Sequence, residues 1–157
     1  MYYHASQTKG IKVLKPRISN HNIPLIYFSD KRENVLVYLS NAVEKFCKET
    51  KFNYNGHYSK WASYSFTKEG KIQFEEYYPN ALEETYKGVS GYIYHIKEIP
   101  NKEKSDDIPH AFKTNKDILI DSVEYILDAY DEIIESIDKG KIVLIKYEDF
   151  IKEKKNG

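Results

Sequence analysis

Cysteine is almost missing from these 157 residues: Cys47 stands alone, so no intramolecular disulfide and no multi-cysteine metal cage can form. No run of eighteen residues avoids charge, and the opening Met1–Gly10 holds no long apolar stretch, which excludes a membrane-spanning helix of the usual kind and reads as a cytoplasmic chain. Net charge is absent as well, with 24 basic and 24 acidic residues, which argues against a broadly cationic nucleic-acid surface. The balance is uneven along the chain. Residues 1–60 carry ten Lys/Arg and four Asp/Glu, and residues 61–157 carry fourteen and twenty. Either the first part faces an anionic ligand or the two parts complement each other.

Signature motifs are equally scarce. There is no GxGxxG, no Walker-type phosphate loop, no HExxH and no GxSxG elbow, and the five histidines (His4, His21, His57, His95 and His110) lack close acidic partners at metal-ligand spacing. Rossmann, P-loop and serine-hydrolase arguments therefore do not apply, and a metal site has no support from spacing.

What is present is a mixed pattern of strands and helices, long enough to bury roughly 65 to 70% of the extended-chain surface. Tyr2–Ala5 starts a strand, Gly10–Asn22 reads as an irregular excursion around Pro16, and Ile23–Ser29 reads as a second strand. A helix is expected next, with Val35, Tyr38, Leu39, Ala42, Val43 and Phe46 on its apolar face and Asp30 with Glu33 as a capping box. Trp61–Phe66, Ile72–Tyr77, Val89–Ile96 and Lys141–Tyr147 read as further strands, and Asn101–His110 as a charged loop. From Asp121 to Lys139 the apolar residues Val123, Ile126, Leu127, Tyr130, Ile133, Ile134 and Ile137 fall at helical offsets, predicting one long helix capped by Asp121 and Glu124 and stopped by Gly140. The pattern describes one compact α+β domain over residues 1–151, with 152–157 as a frayed tail. Fifteen tyrosines supply rings and hydroxyls, and packing accounts for most of them.

The segment Tyr3-His4-Ala5-Ser6, followed by Gly10-Ile11, Leu14-Lys15-Pro16 and Ile26-Tyr27-Phe28-Ser29, resembles the ADP-ribosyltransferase-like superfamily. The likeness is to small bacterial members with a YH(A/G)S-type first strand and a Y(F/T)(S/T)-type second strand. Its specific part covers about thirty residues; the rest of the chain is compatible with it. The resemblance implies a split β-sheet core with flanking helices and NAD as the bound nucleotide. It puts His4 on the ribose, Ser6 beside the ligand or in support of the loop, Tyr27 and Ser29 near the nicotinamide, and Tyr38 as an aromatic wall. Arg17 in the early loop is a candidate anion contact through its directional fork. The superfamily often uses a late-strand glutamate in an ExE pair, which this sequence lacks. Glu98 after a strand-like run and Glu124 at the start of the expected helix are the acids available, and Glu124 joins His4 and Tyr27 as the catalytic candidates.

The function implied is NAD-dependent transfer or processing of an ADP-ribosyl or related nucleotide group, with a protein, an RNA or a small molecule as acceptor. The missing acid pair keeps open a second reading, a non-catalytic nucleotide-binding or accessory protein-interaction domain. The tyrosines keep open a third, a surface for protein or single-stranded nucleic acid.

Overall fold

The computed structural model describes residues 1–18, 24–39 and 63–149. Twelve strands and three short helices occur among them. The chain runs through β1 (Tyr2–Ser6), β2 (Val13–Leu14), β3 (Arg17–Ile18) and β4 (Pro24–Ser29) into α1 (Arg32–Val35), which tightens into a 3-10 turn at Leu36–Tyr38. Next come β5 (Ser63–Phe66), β6 (Ile72–Glu75) and α2 (Ala81–Tyr86). These are followed by β7 (Gly91–Ile96), β8 (Glu103–Lys104), β9 (Ala111–Thr114), β10 (Ile118–Leu119) and β11 (Ser122–Ile126), and finally by α3 (Ala129–Asp138) and β12 (Ile142–Ile145). The fold is mixed α+β with several sheets. Its contacts gather into two compact units, Met1–Leu39 with Ser90–Leu127 and Ser40–Val89 with Asp128–Gly157.

The first unit is built on an antiparallel seven-stranded sheet ordered β11-β7-β1-β4-β9-β8, with β3 also on β4. Because strand side chains alternate between faces, the register sorts the residues. Tyr3 stands opposite both Ser29 and His95, and His95 stands opposite Ser122, so these four share one face with Ala5, Ile93, Glu124 and Tyr27. Tyr2, His4, Ser6, Ile26, Phe28, Tyr94 and Ile96 project from the other. That second face carries one core cluster: Ile26, Phe28, Tyr94 and Ile96 pack with Leu14, Ile99 and Ile118, two of which come from the β2–β10 ladder. Each such side chain contributes roughly 1.5 to 3 kcal/mol by leaving water. The buried Tyr94 hydroxyl is satisfied, donating to the Thr8 carbonyl at 2.6 Å and accepting from Ile11 N–H at 3.2 Å, which ties the loop after β1 to the core. On the first face, a Cβ at Gly91 would lie 2.6 Å from Leu39 Cδ2, so only glycine lets the buried Leu39 settle against β7.

The second unit has β6 between antiparallel β5 and parallel β12. Ile72, Phe74, Leu82, Tyr86, Ile133 and Ile142 are its large buried side chains, and Phe74 meets Tyr86 edge-on at 5.6 Å. The buried Glu76 carboxylate accepts from Leu82 N–H at 2.9 Å, satisfying an otherwise orphaned donor in the first turn of α2, a helix the sequence reading did not include.

The long helix expected over Asp121–Lys139 is divided. Ser122–Ile126 instead pairs with β7 from Ser122↔His95 to Ile126↔Gly91, and the helix begins only at Ala129. The stretch Ser-Val-Glu-Tyr-Ile fits a two-residue period as well as a helical one, and the edge of β7 decides between them. Val123 and Leu127, expected on the buried stripe, are 53% and 75% exposed, whereas Ile133 is fully buried. The cap is Asp128, which accepts from Tyr130 N–H at 2.9 Å, while the Asp121 carboxylate binds Lys97 N–H. At the earlier helix, Lys31 is the N-cap residue and makes no side-chain cap. Asp30 pairs with His110 at 3.1 Å, and the Ser29 hydroxyl accepts from Lys31 N–H. Val35 and Leu39 are buried as the pattern requires, but Tyr38 is exposed; Ala42, Val43 and Phe46 lie outside the described residues, as does the tail 152–157. The expected charged loop at Asn101–His110 carries the short strand β8. No helix among the described residues is long and apolar enough to cross a membrane.

Candidate functional site

The β7–β11 register places Glu124 opposite Ile93 and Ser122 opposite His95, making Glu124 the diagonal neighbour of His95 on one sheet face. His95 Nε2 and Glu124 Oε2 are 2.8 Å apart. From α1, Arg32 Nε donates to Glu124 Oε1 at 2.7 Å, and a second guanidinium nitrogen lies 2.5 Å from the same oxygen. Tyr3, one strand further along, sets its ring edge-on against His95, centroids 5.0 Å apart and planes at 78°. Arginine, carboxylate, imidazole and phenol thus form one connected group.

The carboxylate is neither sealed nor freely solvated: side-chain exposure is 29% for Glu124, 32% for Arg32 and 21% for His95. Burial pushes the Glu124 carboxyl upward, but hydrogen bonds from Arg32 and His95, together with their charges, outweigh it and hold the group below its ordinary value. Glu124 is thus held as an anion and remains partly exposed. Among the described residues, no three His, Cys, Asp or Glu side chains gather as a metal site would require.

The other sequence candidates separate by face. Tyr27 and Ser29 share the face of Glu124; Tyr27 is exposed, whereas Ser29 is buried with its hydroxyl on Lys31 N–H. His4 and Ser6 project from the opposite face, so the sheet does not bring them to Glu124. His4 Nδ1 lies 2.8 Å from the Tyr27 carbonyl, and its ring stands 5.8 Å from that of Phe28. The carbonyl can only accept, so Nδ1–H donates to it and the histidine holds the backbone at Tyr27. Ser6 accepts from Thr8 N–H at 3.1 Å and shapes the following turn. Arg17 lies in β3 opposite Leu25, and Tyr38 is exposed at the end of the 3-10 turn.

Arg32, His95 and Tyr3 were not singled out as site residues in the sequence. Arg32 is 92 residues from Glu124 and His95 is 29 away, so no local motif joins them. The one usable signal was the two-residue alternation of Ser122–Ile126, which as a strand would have placed Glu124 beside β7.

The chain has no significant match to a family model, a curated protein or a solved structure.

Proposed function

We propose that the chain processes NAD or a closely related nucleotide by transferring its ADP-ribosyl group, with Glu124 as the working carboxylate. The observation that carries this reading is the Arg32–Glu124–His95 group: a glutamate on a late strand, held ionised, on the same sheet face as Tyr27 and Ser29. The superfamily resemblance implies a glutamate on a late strand, and Glu124, on β11 and outside any ExE or QxE pair, is the residue we assign to that role. As nicotinamide leaves, positive charge develops at ribose C1, and a fixed anion beside it lowers the barrier. Tyr27 presents an exposed ring to the nucleotide on the same face, three strands from Glu124, and His4 fixes the Tyr27 backbone from the far side of the sheet. The acceptor is a hydroxyl-bearing group on a protein, an RNA or a small molecule.

A second reading has an observation of its own. Both Glu124 oxygens already have partners, so the carboxylate can serve as a clamp fastening α1 to β11 in a nucleotide-binding or accessory domain without turnover. Calorimetry of the protein with NAD and ADP-ribose, run beside chromatographic assay for nicotinamide, separates the two. Binding with nicotinamide release supports the transferase, binding without release supports the accessory domain, and absence of both rejects nucleotide processing and nucleotide binding together.

A further inference from the structure

Glu124 turns His95 into more than a packing residue. An ionised carboxylate can only accept, so the hydrogen on the 2.8 Å contact belongs to His95 Nε2, and in the neutral ring the basic lone pair is then left on Nδ1. That nitrogen has no hydrogen-bond partner among the described residues. It is not sealed either, because Asn34 Nδ2 is the one fully buried side-chain nitrogen or oxygen among the described residues left without a partner. The ring is also held in orientation, by Tyr3 edge-on from β1 and by Glu124 from β11.

We propose that His95 and Glu124 form a carboxylate–imidazole dyad in which His95 Nδ1 is the proton acceptor for the hydroxyl group that attacks the nucleotide. The dyad stands on geometry alone, while the identity of the electrophile rests on the NAD reading. In the step assigned to it, the acceptor hydroxyl gives its proton to Nδ1 as its oxygen bonds to ribose C1. The C1–N bond to nicotinamide breaks, its electron pair leaving on the nicotinamide nitrogen, and the ring later releases its proton to solvent. Glu124 neutralises the imidazolium formed meanwhile, and Arg32 keeps Glu124 from taking up a proton in the place of His95. Around the ring stand the Glu124 carboxylate, Arg32 acting through it, the Tyr3 phenol, and Asp121, whose N–H bonds the His95 carbonyl and whose carboxylate is occupied by Lys97 N–H. His95 is then a catalytic base and Arg32 a positioning residue.

Nitrogen-15 NMR of the imidazoles in the wild-type protein and in Glu124→Gln tests the dyad without relying on turnover. The dyad requires the neutral His95 ring to carry its proton on Nε2, and that tautomer preference to weaken when the charged acceptor is replaced. In parallel, His95→Gln, which keeps a donor for Glu124, should slow nicotinamide release by about 100-fold or more and remove the dependence on a neutral imidazole from the pH profile. A ring protonated on Nδ1, a tautomer preference unchanged in Glu124→Gln, or full turnover in His95→Gln each overturns the proposal. Absence of nicotinamide release in the wild type overturns the NAD reading and the hydroxyl step with it, while the imidazole spectra decide the dyad by themselves.

Discussion

Arg32 Nε and Glu124 Oε1 lie 2.7 Å apart across 92 residues of chain, joining the first turn of α1 to strand β11. The pair is only partly buried, so its value lies between that of a surface ion pair and that of a buried one. Replacing Arg32 with Met should cost about 1 kcal/mol at neutral pH, measured by denaturant unfolding.

The same pair sets a pH dependence. The Glu124 carboxyl is held below its ordinary value of 4.5 in the folded protein, so its stabilising contribution is complete above that pH. It is lost as pH falls from there through the depressed folded value. Unfolding curves taken between pH 7 and pH 3 should therefore show a smaller acid loss in Arg32→Met than in wild type. Parallel losses in the two proteins would mean that Arg32 does not hold the carboxylate in solution.

Gly91 and Leu39 form a steric pair. Alanine at Gly91 places its Cβ 2.6 Å from Leu39 Cδ2 and 3.2 Å from the Ser6 carbonyl, so one of them has to move. The expected cost is about 1 to 3 kcal/mol. Gly91→Ala combined with Leu39→Ala should lose less than the sum of the single changes, because the second substitution removes the obstacle the first one meets. Additive losses in a thermal double-mutant cycle would contradict the close approach.

The division of residues 121–139 into strand and helix has a direct consequence for two neighbouring apolar residues. Ile133 on α3 is fully buried, and Leu127 in the connection is 75% exposed. Ile133→Asp should destabilise by several kcal/mol, whereas Leu127→Asp should change stability by no more than about 0.5 kcal/mol. One continuous helix with a common buried stripe would make both substitutions severe.

Much of the sheet is readable from composition. Gly91–Ile96, Ile72–Glu75 and Ile142–Ile145 are short apolar or alternating runs bounded by turn residues, and each forms a strand within the expected stretch. Residues 122–126 were not readable, because helix and strand periods coincide over five residues and only pairing with β7 breaks the tie. The site was half visible. Glu124 and Tyr27 share a sheet face, but the partners that keep Glu124 ionised come from distant strands and helices, and the placement of His4 on the opposite face depends on a register that no spacing rule supplies.

His4 acts through Tyr27 in this account, since its Nδ1 bonds the Tyr27 carbonyl. His4→Ala should weaken NAD binding by about 1 to 3 kcal/mol in calorimetry by releasing that backbone. His4→Asn, which retains a donor, should recover part of the loss. Equal affinity in wild type and His4→Ala, both folded, would remove His4 from the site.

The most direct measurement is nicotinamide release from NAD by wild type and by Glu124→Gln, with folding of both verified by thermal unfolding. The glutamine keeps the shape and an acceptor oxygen but removes the anion, so the account predicts release by wild type and a loss of about 100-fold or more in the variant, of the size seen when a transition-state charge loses its partner. Equal release by the two folded proteins would contradict the role given to Glu124.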